Sequence, residues 1–380
     1  MDQLRPLSQP AARAPSRRSR PQLALVEARL RLVHSADGIP DDWRAALEAL
    51  LGWLGVSADI VPAARAGRLK RFADWTMPGG AVFAPWLGWS AAALQHGGLA
   101  HLPQAQFVSS YLLDHPRGAA RGGGGLDLVL MSPHPAHCIA EEAGGVPVPR
   151  AGVLAAMIRM ARAQKRERLA IIVTARQRGA VASRLLAAGR GLTGDGLALD
   201  ILTLEEALPA LIGPRAQWDA VMAMPDHRST VFMLLAHASG QCRAWPMLWH
   251  AGEGARSLRL VTCEAPGEGM TRLPLGAEAM IHSLALILHA AGAGQHAARL
   301  HEGWARLRDS GIIAPGHAQS GAPYVTEVAD SEFIAILQRD GAASKRPQLP
   351  WRALEIDKCA RPGSKSPHLR VIVSNRNTPG

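Results

Sequence analysis

The sequence predicts an α/β protein, and three observations predict it. Leu126–Met131 and Leu169–Val173 are short, continuous apolar runs on either side of a helix-like segment over 151–164. Continuous runs of that length are what strands buried on both faces look like. Strand-like and helix-like stretches then keep alternating to about residue 309, which is the α/β pattern. Finally, 380 residues of which 48% are hydrophobic can bury a large core divided between two lobes.

Taken in order, Leu30–His34 reads as a strand and Trp43–Leu54 as a helix. Leu47, Leu50, Leu51 and Leu54 recur there at helical spacing, Asp41 or Asp42 serves as N-cap, and Gly55 stops it. Strands follow at Ala58–Val61 and near Gly80–Ala84. Gly118–Gly125 is a flexible connection. It lacks the Gly-Lys-Ser/Thr ending of a phosphate loop and precedes a strand, not a helix. Beyond the 126–131 strand lies the loop Ser132–Cys138, then the 151–164 helix and the 169–173 strand. Val181–Ala188 is helical, Ala198–Leu202 a strand, Leu204–Ile212 a helix and Trp218–Met222 a strand. After a strand at Ser257–Cys263, Glu278–Ala291 and Gln295–Asp309 form a helical pair about the Gly292-Ala293-Gly294 turn, closed by Ser310-Gly311. In sheets of this kind ligands sit beyond the carboxyl ends of the strands, so residues 132–139 and 174–178 are where chemistry belongs.

The net charge of +11 suggests nucleic acid until it is divided along the chain. Residues 1–21 carry a net +4 and residues 339–380 a net +6, leaving 22–338 at +1. The basicity belongs to the ends, which reads as solvated tails and argues against nucleic acid as a partner for the body. No apolar run approaches the roughly 18–20 residues that span a bilayer. Cys138, Cys242, Cys263 and Cys359 are scattered without a CxxC pair, so no disulfide framework or zinc knuckle is expected and a cytoplasmic location is. The ten tryptophans do not cluster with basic residues and read as core or interface.

The order of elements and their turns resembles the isocitrate/isopropylmalate dehydrogenase family of β-decarboxylating dehydrogenases. Ala36-Asp37-Gly38-Ile39 sits where that family has its opening Gly-Asp-Gly-Ile-Gly-Pro-Glu turn. Tyr111 and Pro116 fit its Tyr-Ala-Asn-x-Arg-Pro segment, and Gly125–Val129 the strand leading to its catalytic tyrosine. Trp218–Val221 fits the strand before its metal-binding aspartates, Ala265-Pro266 the end of His-Gly-Ser-Ala-Pro, and 280–311 its last helical pair. The resemblance covers about 30 to 325. It implies a two-lobed fold with a central mixed sheet flanked by helices. The larger lobe would be 29–103 plus 255–338, and the smaller, 104–254, would carry the contacts of a homodimer. Residues 1–28 and 339–380 would be a disordered and a flexible basic tail.

The family's chemistry does not carry over. Such enzymes oxidise a 2-hydroxy acid with NAD(P) and a divalent metal, clamping substrate carboxylates with arginines. The clamp positions here read Ala105, His115 and Ser132. The tyrosine proton donor falls at Cys138 or Ile139, and the lysine base at Thr174 or Ala175 with only Arg176 nearby. Arginine is always protonated and cannot act as that base. The metal aspartates fall near Ser229 and Met233, leaving Asp226 off register, and Mg²⁺ needs hard oxygen ligands. The adenine-side histidine and asparagine read Thr262 and Gly276. By resemblance Asp37, Gly38, Ala265 and Pro266 would lie along a cofactor, with NAD(P) and Mg²⁺ implied only if the activity survives.

Two local groups remain. His134-Pro-Ala-His137-Cys138 has zinc-ligand types but no clear fourth ligand, against an ordinary polar loop. Asp226-His227-Arg228 reads as a base oriented by a carboxylate, or as a solvated strand-end loop. Three functions follow. The first is a non-catalytic homodimer, or a partner of an active paralogue, in a binding, regulatory or scaffold role, with a small-molecule ligand possible. The second is a dehydrogenase with a site rebuilt from His134, His137, Asp226 and His227. The third is nucleic-acid association through the tails.

Overall fold

The computed structural model describes residues 30–34, 41–56, 58–62, 82–90, 105–114, 126–140, 145–188, 196–213, 217–240, 243–252, 258–266, 275–316, 323–339 and 351–355. The protein is a mixed α/β molecule. Its strands are β1 (Leu30–His34), β2 (Ala58–Pro62), β3 (Val82–Ser90), β4 (Phe107–Asp114), β5 (Leu126–Pro133), β6 (Cys138–Ile139) and β7 (Val148–Pro149). They continue with β8 (Arg168–Val173), β9 (Ala198–Thr203), β10 (Ala220–Ala223), β11 (Trp245–His250), β12 (Leu258–Ala265), β13 (Ile312–Ile313) and β14 (Thr326–Glu327). The α-helices among the described residues are α1 (Asp41–Leu54), α2 (Ala151–Ala163), α3 (Ala175–Ala187), α4 (Leu204–Leu211), α5 (Pro225–Ala238), α6 (Ala277–Ala290), α7 (Gly294–Asp309) and α8 (Asp330–Gln338).

Eight strands form one sheet in the order β3-β12-β11-β4-β5-β10-β8-β9. The β5-β10-β8-β9 half is parallel, while β11 runs antiparallel to both β4 and β12. Side-chain alternation along the strands sorts the core into two layers. Val129, Met131, Leu169, Ile171, Val173 and Met222 pack with α2, α3, α6 and α7 on one face. Leu128, Leu130, Ala170, Ile172, Val221 and Ala223 pack with α4 and α5 on the other. With both faces covered, β5 and β8 must be apolar throughout, which is why they stand out as runs. Helix α6 is buried along its length from Ala277 to Leu288.

The chain leaves β8 through α3 on one face and β10 through α5 on the other, so the strand order reverses between β10 and β8. That is a topological switch point, where such sheets open a crevice. Thr174–Arg178 and Met224–Arg228 flank it.

Two expectations need correction here. Asp226-His227-Arg228 is not a strand-end loop but the first turn of α5, with Pro225 opening the helix. Within the expected flexible tail 339–380, residues 351–355 are docked, and Trp351 is 1% exposed. Smaller differences are that Asp41 and Asp42 lie inside α1 and that α3 starts six residues before Val181. Residues 1–28 and the Gly118–Gly125 connection lie outside the described residues, as do Asp37 and Gly38.

Candidate functional site

The carboxyl ends of β5, β8, β9, β10 and β11 share one edge of the sheet, and its polar side chains are occupied with backbone. At the end of β5, Ser132 Oγ donates to the Ala223 carbonyl of β10. His134 is 3% exposed. Its amide donates to the Gln106 carbonyl at 2.8 Å, and its ring Nδ1 accepts from the Ala136 amide at 3.2 Å. At the end of β8, Thr174 and Gln177 form a capping box, Oγ1 accepting from Gln177 N at 3.3 Å and Oε1 from Thr174 N at 3.0 Å. Thr203 and Glu206 repeat the device at the end of β9, and Arg178 pairs with Glu206 between the two helix starts.

The His134–Cys138 stretch makes a short 3-10 turn and enters β6, which pairs with β7. That ribbon is held by one buried side chain. Arg184 of α3 donates from Nη1 to the Val148 carbonyl at 2.6 Å and from Nη2 to the Ile139 carbonyl at 3.1 Å. Gln177 Nε2 adds a bond to the Pro147 carbonyl at 3.0 Å.

The structure does bring some predicted residues together. Asp226 raises the Cys138 thiol electrostatically, behind burial as the main cause, to about 11. The 132–138 stretch and the start of α5 follow neighbouring strands, β5 and β10. The His134 and His137 rings are 6.3 Å apart and steeply inclined at 72°. Burial, then Arg150, lowers the His137 pKa. Hydrogen bonding at the start of α4, with a smaller contribution from His227, lowers the Glu205 pKa, and Arg176 is exposed on the first turn of α3. Among the described residues no three His, Cys, Asp or Glu side chains are arranged to hold a metal ion. Ser229 and Met233 bring no carboxylate to α5. The donor set does not fit Mg²⁺. Ala265 ends β12 and is buried, Pro266 follows it half-buried, and Thr262 Oγ1 accepts the Trp249 indole N–H at 3.0 Å.

Three features escape the sequence reading. On the α5 face, buried Arg228 pairs with buried Glu264 of β12. Arg228 Nη2 donates to Ser110 Oγ at 2.8 Å, and Ser110 donates to the second Glu264 oxygen at 2.8 Å. Partners 36 to 154 residues apart leave no local signature. At the end of β11, His250 stacks on Phe107 with ring centroids 4.5 Å apart and lies 2.9 Å from Ser109 Oγ. Burial lowers its pKa to about 3. Arg184, the third, does leave a signal, sharing one helical face with Gln177, Val181 and Leu185.

No helix among the described residues is long and apolar enough to cross a membrane. No family model matches the chain, and neither does any curated protein. Among solved structures it is similar to the TT0538 protein from Thermus thermophilus, with a TM-score of 0.53 and 14% identity over 85% of this chain and 71% of that one. It is also similar to isocitrate dehydrogenase from Methylococcus capsulatus, with a TM-score of 0.50 and 14% identity over 81% of this chain and 98% of that one. At that identity the likeness speaks for architecture: the chain has an isocitrate dehydrogenase-like α/β fold.

Proposed function

We propose that the protein is a non-catalytic, homodimeric relative of the isocitrate/isopropylmalate dehydrogenases with a binding, regulatory or scaffold role. One observation carries the reading. At the switch-point edge Ser132, His134, Thr174, Gln177 and Arg184 all bond backbone groups of the protein itself. They include Ser132, one of the three places where the resemblance put the substrate clamp, and Thr174, one of the two where it put the lysine base. A side chain committed to a backbone group in a buried setting is costly to redeploy on a ligand. In support of assembly, Leu186 on α3 is 67% exposed, and Leu208 and Ile212 lie exposed on and just after α4. Exposed apolar side chains of this size are the kind that a subunit interface covers.

The test is a thermal-shift titration of the full chain with NAD⁺, NADP⁺, Mg²⁺, isocitrate and 3-isopropylmalate, singly and combined, with reduced nicotinamide followed by absorbance. The expected result is no reduced cofactor in any mixture. A single ligand that raises Tm would identify what is bound. Turnover would overturn the reading in favour of a dehydrogenase rebuilt around His134, His137, Asp226 and His227, the alternative that the electrostatic influence of Asp226 on Cys138 favours. Light scattering should give a dimer, reduced to a monomer by Leu186→Glu with Ile212→Glu.

A further inference from the structure

The opposite edge of the sheet, where β5, β8 and β10 begin and β4 ends, holds a piece of chain that the dehydrogenase likeness does not call for. Trp351 is the single Phe, Tyr or Trp between 339 and 380, and its ring is buried. It meets Tyr111 of β4 edge-on with centroids 5.9 Å apart. It also lies 5.2 Å from the His282 ring of α6 and 5.7 Å from the His301 ring of α7. The next residue is held by charge. The Arg352 amide donates to Asp127 Oδ2 at 3.2 Å. Its guanidinium pairs with Asp219 and lies 3.7 Å from Glu167. Ala353 is buried, and Glu355 pairs with Lys165 at 3.1 Å.

We infer that residues 351–355 are an intramolecular ligand, and that this edge is a binding site for a linear peptide carrying Trp-Arg followed by an acidic residue. The site has a direction. Carboxylates of Asp219 and Glu167 meet the guanidinium, Asp127 accepts the backbone amide of the same residue, and the Lys165 ammonium meets the glutamate three positions later. It also spans the molecule. Tyr111, Asp127, Lys165, Glu167 and Asp219 belong to 104–254, whereas His282 and His301 belong to 255–338. The docked segment is thus a brace between these two parts of the chain, which β11 and β12 already join within one sheet, and removing it loosens the packing of β4 against α6 and α7. None of these residues lies at the switch-point edge, so the brace is independent of the proposed function.

Hydrogen exchange on three proteins tests it: the full chain, a chain ending at Pro350, and the full chain with Arg352→Glu. In the shortened chain, exchange should quicken both in 107–114 and in α6 and α7. A peptide spanning residues 349–358, supplied at concentrations on the order of millimolar to replace the lost tether, should slow it again. Arg352→Glu places a carboxylate against those of Asp219 and Glu167 and should reproduce the loss in a chain that still contains Trp351. If the shortened chain fails to fold, this variant decides by the same criterion. Unchanged exchange in the variant proteins, quickening in one half only, or no response to the peptide would overturn the inference.

Discussion

The two edges of the sheet use polar residues in opposite ways. At the edge where β5, β8 and β10 end, most of them serve backbone: Thr174 and Gln177 or Thr203 and Glu206 as caps, Ser132 on the Ala223 carbonyl, Gln177 on that of Pro147. At the edge where those strands begin, charges pair across long stretches of chain: Asp127 with Arg166, Asp219 with Arg352, Asp114 with Arg308. In an open α/β sheet the first edge is where charged and reactive groups serve a ligand. Here it is held by caps, carbonyl bonds and the Arg178–Glu206 pair, and most of the charge pairing lies at the far edge and in the interior.

The interior Arg228–Glu264 pair puts that contrast under the greatest load. Arg228→Met leaves the Glu264 carboxylate buried with only Ser110, and breaking a buried pair from one side costs about 3–5 kcal/mol. Replacing both residues with Met and Leu should recover most of that cost, because neither desolvated charge remains. Asp226→Ala, two residues away but exposed at the switch-point edge, should change stability by no more than about 0.5 kcal/mol. Urea titration of the four proteins measures all of this. If Asp226→Ala proved as damaging as Arg228→Met, the division between the edges would be lost.

Legibility in the sequence follows the same division. Elements buried on both faces or on one clean helical face, such as β5, β8, α2 and the α6–α7 pair, announce themselves by period. Helix α5 does not: Arg228, Ser229, Val231, Phe232, Leu235 and Ala236 are buried around much of its circumference, so no single stripe stands out, and its signal is Pro225 followed by Asp226. Strands β4 and β11 carry serines or a proline inside almost uniformly buried runs, which erases both alternation and apolar continuity. The start of α3 is polar, yet Thr174-x-x-Gln177 is a readable capping box. Of the candidate site, residue patterns locate the strand ends and the polar residues that follow them. They reveal neither the Arg228–Glu264–Ser110 cluster nor the Trp351 dock, which depend on contacts between distant segments. Local composition describes the C-terminal stretch as flexible, and one tryptophan overrides that description at 351–355.

Acid probes the same contrast more gently. His250 closes β11 at the switch-point edge and is held neutral by burial, its pKa about 3 against an ordinary 6.5. The unfolded chain takes up a proton on this ring below about pH 6.5, whereas the folded chain does not until about pH 3. The contribution is therefore fully present above pH 6.5 and declines as pH falls through that window, by up to about 5 kcal/mol for a group shifted so far. His137 is shifted in the same direction and adds to the slope. His250→Gln, which keeps a polar partner for Ser109, should flatten the acid limb of a stability-versus-pH curve. An unaltered limb would mean that acid acts through the charge pairs of the opposite edge.

The smallest effect concerns reactivity. If the switch-point edge is inert, its cysteine should be inert too. Burial is the main reason that Cys138 has a pKa of about 11, with Asp226 adding to it and Arg184 opposing. A pKa of about 11 in place of 9.0 leaves about a hundredfold less thiolate at neutral pH. Alkylation by iodoacetamide, mapped by mass spectrometry to the Cys138 peptide, should be slow at about pH 8 and climb steeply in more alkaline buffer. Asp226→Asn removes one of the charges that hold the proton on the thiol, so it should speed alkylation a few-fold at fixed pH without moving the urea midpoint. Rapid alkylation of the unaltered protein at neutral pH would give the stretch back a reactive group. A substrate screen would then belong at the edge facing α5, not at the braced edge beneath Trp351.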